Sequence, residues 1–181
     1  DILRFLNFLA FGALAVQEKR SFMAGRFGEQ VFDPRISIID DGLDPTGLPQ
    51  PFDYEGVPKQ KVEIIVNGVA NAVVYDSYTA QKEGKDSTGH ALPSPNAYGP
   101  IASNLFMSRG AHTKEQMLAS TEWGLWVTRF HYVNPVHRLK AILTGMTRDG
   151  TFLIEKGEIA RPVKNLRFTQ GMLEALSNVD M

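Results

Sequence analysis

Apolar and polar residues alternate through the stretch from Trp123 to Thr169, and this pattern predicts β-strands. Two pairs that contain glycine, Asp149-Gly150 and Lys156-Gly157, separate the alternating runs. Alternation interrupted by two-residue glycine turns is typical of antiparallel hairpins that bury one face. We therefore predict that this stretch forms the wall of a β-rich domain.

The first half of the chain predicts a second group of strands. A strand from Lys61 to Val66 is followed by Asn67-Gly68, a strong hairpin signal, and by a return strand over Val69 to Tyr78. Two further strands are expected, at Arg35 to Ile39 and at Ser103 to Met107.

Three helices complete the pattern. Residues 1–20 have charges at both ends and an apolar middle, and Gln170 to Val179 places apolar residues at helical spacing. Thr113 and Gln116 fit a capping box that opens a helix to about Thr121. The predicted fold class is α+β: a β-rich antiparallel sheet or partly closed barrel with an N-terminal, a middle and a C-terminal helix.

Length and composition are those of one globular domain with a substantial core. The chain has 181 residues, of which 43% are hydrophobic and 22% are charged, and its net charge is -1. It has no cysteine, which excludes disulfides, thiolate metal ligands and a cysteine nucleophile within the chain. The lack of cysteine also fits a reducing cytoplasm. Because the first residue is Asp1, we expect a fragment whose N-terminal part is missing.

Basic residues concentrate in the alternating stretch. Residues 123–169 hold eight Arg or Lys residues against three acids. Strands divide such residues between faces and hairpin ends, so a solvated outer surface is favoured over a polyanion site.

Candidate catalytic and metal-binding residues are few. The acids Asp40, Asp41, Asp53 and Glu55 lie in turn-rich sequence, where such residues more often form turns and caps than hold a metal. His131 and His137 flank a turn at a spacing that disfavours a shared metal. The sequence contains no HExxH, P-loop, GxSxG or strand-to-helix GxGxxG motif.

The apolar run from Phe8 to Val16 is too short to span a membrane, which takes about 20 residues. A signal peptide ending near Ala13-Leu14-Ala15 is the alternative to a buried helix. Asp1 and the small positive charge before the run argue against a signal.

The run TGMTRDGTFLIEKGEIARPVKNLRF, residues 144–168, resembles the C-terminal domain of the TldD/PmbA family, also called the modulators of DNA gyrase. The resemblance implies a metalloprotease that works in pairs, in which one subunit carries zinc and a sister subunit of the same fold lacks it. It also implies that residues 1–181 form a single C-terminal domain.

In the zinc-bearing subunits of the family, the first helix carries HExxxH, whose two histidines bind zinc and whose glutamate activates a water. The resemblance aligns Phe8 and Leu9 with the first histidine and the glutamate, and Ala13 with the second histidine. None of these side chains can bind zinc or accept a proton. The chain is therefore expected to be of the zinc-less, PmbA-like kind, with no catalytic residue and no cofactor of its own.

A Ser-Thr-Gly segment near the family's substrate cleft corresponds here to Ser87, Thr88, Gly89 and His90. The resemblance makes these four residues the candidates for peptide contact, with His90 the best single one.

The implied function is a role in peptide proteolysis or maturation in the cytoplasm. The expected partners are an unfolded peptide and a zinc-bearing TldD-like subunit, in a homo- or heterodimer, with zinc held by the partner. Neither membrane association nor nucleic-acid binding is expected. Two alternatives are a secreted β-rich binding module, if residues 1–16 are a signal, and a nucleic-acid-binding modulator that uses the basic stretch.

Overall fold

The computed structural model describes residues 2–180. Within that range the helices are α1 (Ile2–Leu6), a π-helical turn (Asn7–Phe11), α2 (Ala13–Gln17), α3 (Ser77–Lys82), α4 (Lys114–Ser120) and α5 (Met172–Ser177). The strands are β1 (Ile38–Asp40), β2 (Val62–Val66), β3 (Val69–Ala70), β4 (Leu105–Met107), β5 (Trp123–His137), β6 (Ile142–Glu155), β7 (Glu158–Pro162) and β8 (Arg167–Gly171).

The strands form two antiparallel sheets. The first has the order β3-β2-β1-β4. In the second, β5 pairs with one edge of β6, while β7 and β8 pair with the other edge, end to end. The α+β class is confirmed. The sheets of the described part do not close on themselves, so the partly closed barrel is not formed.

The hairpin between β2 and β3 follows from its turn residues. Asn67 and Gly68 have φ values of 48° and 77°, the left-handed pair that a two-residue hairpin turn requires. The predicted turn is confirmed, but the return strand is only Val69–Ala70. Beyond Ala70 the chain leaves this sheet: Val74 forms a bridge with Gly12, and Asp76 and Thr79 then form a capping box that opens α3. The sequence reading missed this helix, since its single short turn has no long apolar repeat.

The pair Asp149-Gly150 was predicted to be a turn, and this prediction is wrong. It lies inside β6, where Val127 pairs with Thr151 but Arg129 pairs with Arg148, so the pair forms a bulge. Asp149 has a φ of 67°, which suits a bulge as well as a turn. The same stretch contains one correct turn, since Lys156 and Gly157 join β6 to β7.

The middle and C-terminal helices confirm their predictions. Thr113 caps α4 by accepting from the N–H of Gln116, whose side chain accepts in return from the N–H of Thr113. In α5 the buried residues are Met172 and Leu176, which join the main core. That core lies between the first sheet, the N-terminal helices and α5.

The N-terminal helix is interrupted at Gly12, which has extended backbone. The backbone at the break is hydrogen-bonded to another segment: Ala13 N–H donates to Val74 C=O and Val74 N–H donates to Phe11 C=O, each at 2.9 Å. Gly12 also lies against Pro100: a Cβ at Gly12 would stand 2.2 Å from the Pro100 carbonyl oxygen. The residue must therefore be glycine for the loop at Pro100 to pack on the helix.

No helix among residues 2–180 is both long enough and apolar enough to cross a membrane.

We expect Gly12→Ala to lower the free energy of unfolding by about 3 kcal/mol, because the new methyl group would displace backbone rather than a flexible side chain. Urea denaturation measures the change. The matched control is Gly171→Ala, whose Cβ would meet its nearest neighbour only at 3.8 Å, and which should cost less than about 0.5 kcal/mol. Equal effects of the two substitutions would contradict the close packing at Gly12.

Candidate functional site

The segment that contains His90 is folded back against β1 and the residues before α3. Gly89 has a φ of 74°, and a Cβ there would stand 2.5 Å from the carbonyl oxygen of Pro58. Only glycine permits both the left-handed backbone and this close approach. The turn directs the His90 side chain into the interior, where the whole residue is 0% exposed.

His90 belongs to a network of four hydrogen bonds that reaches distant parts of the chain. Its Nε2 lies 2.8 Å from Asp40 Oδ2, and its Nδ1 lies 2.9 Å from Thr88 Oγ1. Thr88 Oγ1 accepts from the N–H of Tyr75 at 2.7 Å, and Asp40 Oδ1 accepts from the N–H of Asn104 at 2.7 Å. Nε2–H donates to the Asp40 carboxylate, and Nδ1 has Thr88 Oγ1 as its partner. Both ring nitrogens of His90 are then satisfied.

Asp40 remains a carboxylate although it is 0% exposed. Burial raises its pKa, but hydrogen bonds from His90 and from the N–H of Asn104 hold the pKa below its ordinary value of 3.8. The charge of Lys59 acts in the same direction. Lys59 is itself buried, and burial lowers its pKa against the opposing charges of Asp40 and Asp53.

Asp53 confirms the prediction that the acids of this region mainly form turns. Its Oδ1 accepts from the N–H groups of Glu55 and Val57, each at 2.9 Å, and its Oδ2 accepts from the N–H of Ala91. These bonds fix the turn after residue 53 and attach the segment beyond His90 to it. The carboxylate has no free side towards a ligand.

This arrangement is a satisfied polar core rather than an open site. The buried ring of His90 cannot touch a peptide in this conformation, whereas Ser87 and Thr88 are partly exposed. Peptide contact by Ser87, Thr88, Gly89 and His90 stays a prediction. Sequence reasoning missed the pairing of His90 with Asp40, because no local pattern connects residues 50 positions apart.

The helix positions aligned with the zinc motif are apolar and packed. Leu9 is 3% exposed and Ala13 is 0% exposed, while Phe8 is partly buried. The Phe8 ring lies between Tyr98, whose centroid is 5.5 Å away, and the guanidinium of Arg138 at 5.6 Å. These hydrocarbon side chains do not fit a zinc ion. Across residues 2–180, no group of three or more His, Cys, Asp or Glu residues is arranged to hold a metal.

His131 and His137 both lie in β5 and do not converge. His131 pairs with Met146, and His137 pairs with Ile142 near the hairpin end, where its Nδ1 accepts from the N–H of Lys140. The basic residues of the stretch are exposed, as expected for a solvated surface; they are Arg129, Arg138, Lys140, Arg148, Lys156, Arg161, Lys164 and Arg167.

One edge of the second sheet is open. Strand β5 is 15 residues long and, among the described strands, pairs only with β6. Trp123 is 73% exposed and Leu125 is 41% exposed. An unpaired edge with apolar side chains is a template for another strand.

Comparison with known proteins identifies the family to which the chain belongs. The family model described as the PmbA/TldA metallopeptidase C-terminal domain matches residues 1–181. Metalloprotease PmbA of Escherichia coli O157:H7 is 30% identical over 174 residues, which are 93% of this chain and 36% of that protein. The chain is therefore the C-terminal domain of a member of the TldD/PmbA metallopeptidase family.

Solved structures share the fold. A protein from Thermotoga maritima MSB8, named as a modulator of a DNA gyrase, superposes with a TM-score of 0.86 at 28% identity, over 99% of this chain and 41% of that one. TldE from Thermococcus kodakarensis has a TM-score of 0.78 at 24% identity, over 95% of this chain and 40% of that one. The chain thus spans about two-fifths of the length of these relatives.

We expect Asp40→Asn to lower the free energy of unfolding by about 3 kcal/mol, because an amide cannot accept from both His90 and Asn104 without turning one donor towards another. Chemical denaturation at neutral pH measures the change. Asp86→Asn, at an exposed position, is the control and should change stability by less than about 0.5 kcal/mol.

The same carboxylate predicts a pH dependence. Because the folded-state pKa of Asp40 lies below 3.8, its stabilising contribution is complete above that pH and is lost as the pH falls through the folded-state pKa. The wild type should therefore lose more stability between neutral pH and pH about 3 than Asp40→Asn does. Parallel pH slopes for the two proteins would contradict the assignment.

Proposed function

We propose that this domain belongs to a non-catalytic subunit of a two-subunit peptidase, which holds an unfolded peptide for a zinc-bearing sister. The observation that carries the proposal is the packing of Leu9 and Ala13 in the core, since neither residue offers an atom to a metal or a space for one. The fold shared with TldE supports a pairing with a TldD-like subunit. Zinc in that subunit would polarise the water and the scissile carbonyl.

The open edge of β5 supports capture of an extended peptide by strand addition. Thr151, the partner of Val127, accepts from Val163 N–H on the far side of β6. Because hydrogen-bonded pairs alternate in an antiparallel ladder, Val127 turns its N–H and C=O away from β6. The same alternation directs the groups of Leu125 outward. The outward N–H and C=O groups of these two residues can therefore form hydrogen bonds with the backbone of an added peptide strand.

The segment Ser87 to His90 is the second candidate for peptide contact. Ser87 is the part that a peptide could reach: its Oγ accepts from the N–H of Gly89 at 3.1 Å, and its side chain stays partly exposed. His90 holds the turn that carries Ser87.

The test is metal content and peptide hydrolysis, measured on the protein alone and after mixing with a zinc-bearing sister subunit from the same cell. We expect zinc and cleavage only where the sister is present, with one zinc per pair. Stoichiometric zinc or cleavage by this protein alone would refute the non-catalytic role.

Two proline substitutions test whether the open edge of β5 binds the peptide. Val127→Pro removes an outward N–H from β5 and should weaken peptide binding by the mixed subunits at least about tenfold, while an edge strand tolerates the proline. Ile159→Pro in the exposed strand β7 is the matched control, and binding should be unchanged. Fluorescence anisotropy of a labelled unfolded peptide measures both. Loss of binding in Ile159→Pro alone would assign the peptide to the opposite edge.

A further inference from the structure

A cleft of about 340 Å³ lies between α1 and the middle of β5. Its polar lining comes from Arg4 on the helix and from Arg129, His131 and Tyr132 on the strand. The proposed zinc-less role uses none of these side chains.

The charge in this cleft is unbalanced. Arg129 forms an ion pair with Asp149, but Asp149 also faces Arg148 at 3.8 Å, so one carboxylate serves two guanidinium groups. Arg4 is exposed and has no acidic partner among residues 2–180. The imidazole ring of His131 lines the cleft beside the guanidinium groups of Arg4 and Arg129. The cleft therefore presents an excess of positive charge and hydrogen-bond donors to an incoming anion.

The backbone is strained at this cleft. His131 pairs with Met146 and Asn134 pairs with Thr144, so β5 has one extra residue here and bulges. Tyr132 takes up the extra residue with a φ of 52°, in the left-handed region that a bulky side chain rarely adopts. The bulge leaves the Tyr132 ring 71% exposed beside Arg4 and Arg129. Strained residues of this kind concentrate at ligand sites.

The cleft shares two of its lining residues, Phe130 and Val133, with an apolar cavity of about 270 Å³. The other walls of this cavity are hydrocarbon apart from Gln170; they are Ile2, Leu143, Phe168, Met172 and Ala175. The volume exceeds the roughly 150 Å³ that holds a benzene ring in a buried apolar site. Phe168 stands at this wall because Gly145 lacks a Cβ, which would approach its ring to 2.8 Å.

We propose that the cleft and the cavity together bind the C-terminal residue of a peptide. The carboxylate lies between Arg4, Arg129 and His131, and an apolar side chain such as that of leucine fills the cavity. An anion site that shares two wall residues with an apolar site of this size matches a free carboxylate that carries a hydrophobic group. The choice of a peptide as its source rests on the proposed function, whereas the carboxylate site itself does not.

Small probes test the site without the sister subunit. N-acetyl-leucine, N-acetyl-leucinamide and N-acetylglycine are titrated into the intact protein and followed by NMR shifts. We expect the leucine acid to bind at least about tenfold more tightly than the amide, which lacks the charge, and than the glycine acid, which leaves the cavity empty. Equal affinity of acid and amide would overturn the proposal.

Two variants locate the binding. Arg4→Gln should reduce the affinity for N-acetyl-leucine to that of the amide, Arg4→Lys should restore part of it, and Arg20→Gln, at a separate exposed ion pair, should change nothing. Ala175→Met, which fits a helix and extends into the cavity, should remove the preference for leucine over glycine. An acid preference that survives Arg4→Gln would place the carboxylate elsewhere and overturn the assignment.

Two further results separate this proposal from the proposed function. Decanoate that binds more tightly than N-acetyl-leucine would assign the site to a fatty acid and overturn the peptide. If the probes bind as expected but the mixed subunits never cleave peptides, the subunit role fails and the carboxylate site stands. If cleavage occurs but acid and amide peptides bind alike, the carboxylate site is refuted and the proposed function stands.

Discussion

The buried carboxylate of Asp40 is the constraint on which the first half of the structure depends. It lies at the end of β1, and it binds the ring of His90 and the backbone of Asn104, which are far apart in the sequence. Without these donors, the desolvation free energy of a fully buried carboxylate would be too unfavourable for it to stay ionised in the interior. These hydrogen bonds therefore hold the loops that carry the donors to the sheet, together with the packing of Ala91 and Ala102. The position of the loops is specific because hydrogen bonds are directional.

Local chemistry explains which parts of the fold could be read from the sequence. The turns at Asn67-Gly68 and Lys156-Gly157 and the capping box at Thr113 depend on neighbouring residues, and all three are present. Asp149-Gly150 has the same turn composition but forms a bulge. Its left-handed backbone is a local property, whereas the choice between turn and bulge depends on whether the chain continues along β5, which is a long-range property.

The candidate site shows the same limit. The apolar character of Phe8, Leu9 and Ala13 is visible in the sequence, and the burial of Leu9 and Ala13 follows from it. The role of His90 could not be found in this way, since a histidine in a loop rich in Gly, Ser and Pro is ordinarily solvated. Its burial depends on the left-handed turn at Gly89 and on a partner 50 residues away. The cleft beside Arg4 likewise brings together side chains that are far apart in the sequence, those of Arg4 and of residues 129–132.

The break at Gly12 restricts the evolutionary paths open to this helix. Ala13 follows the break directly, has no exposed surface, and is tied through its N–H to Val74. A histidine there would need room for a ring and partners for two nitrogens, and neither can appear by a single substitution in a close-packed interior. Introduction of a metal ligand here would require simultaneous changes around Val74 and Pro100. A protein with this packing is thus separated from one that binds a metal at this helix by a barrier of several unfavourable intermediates.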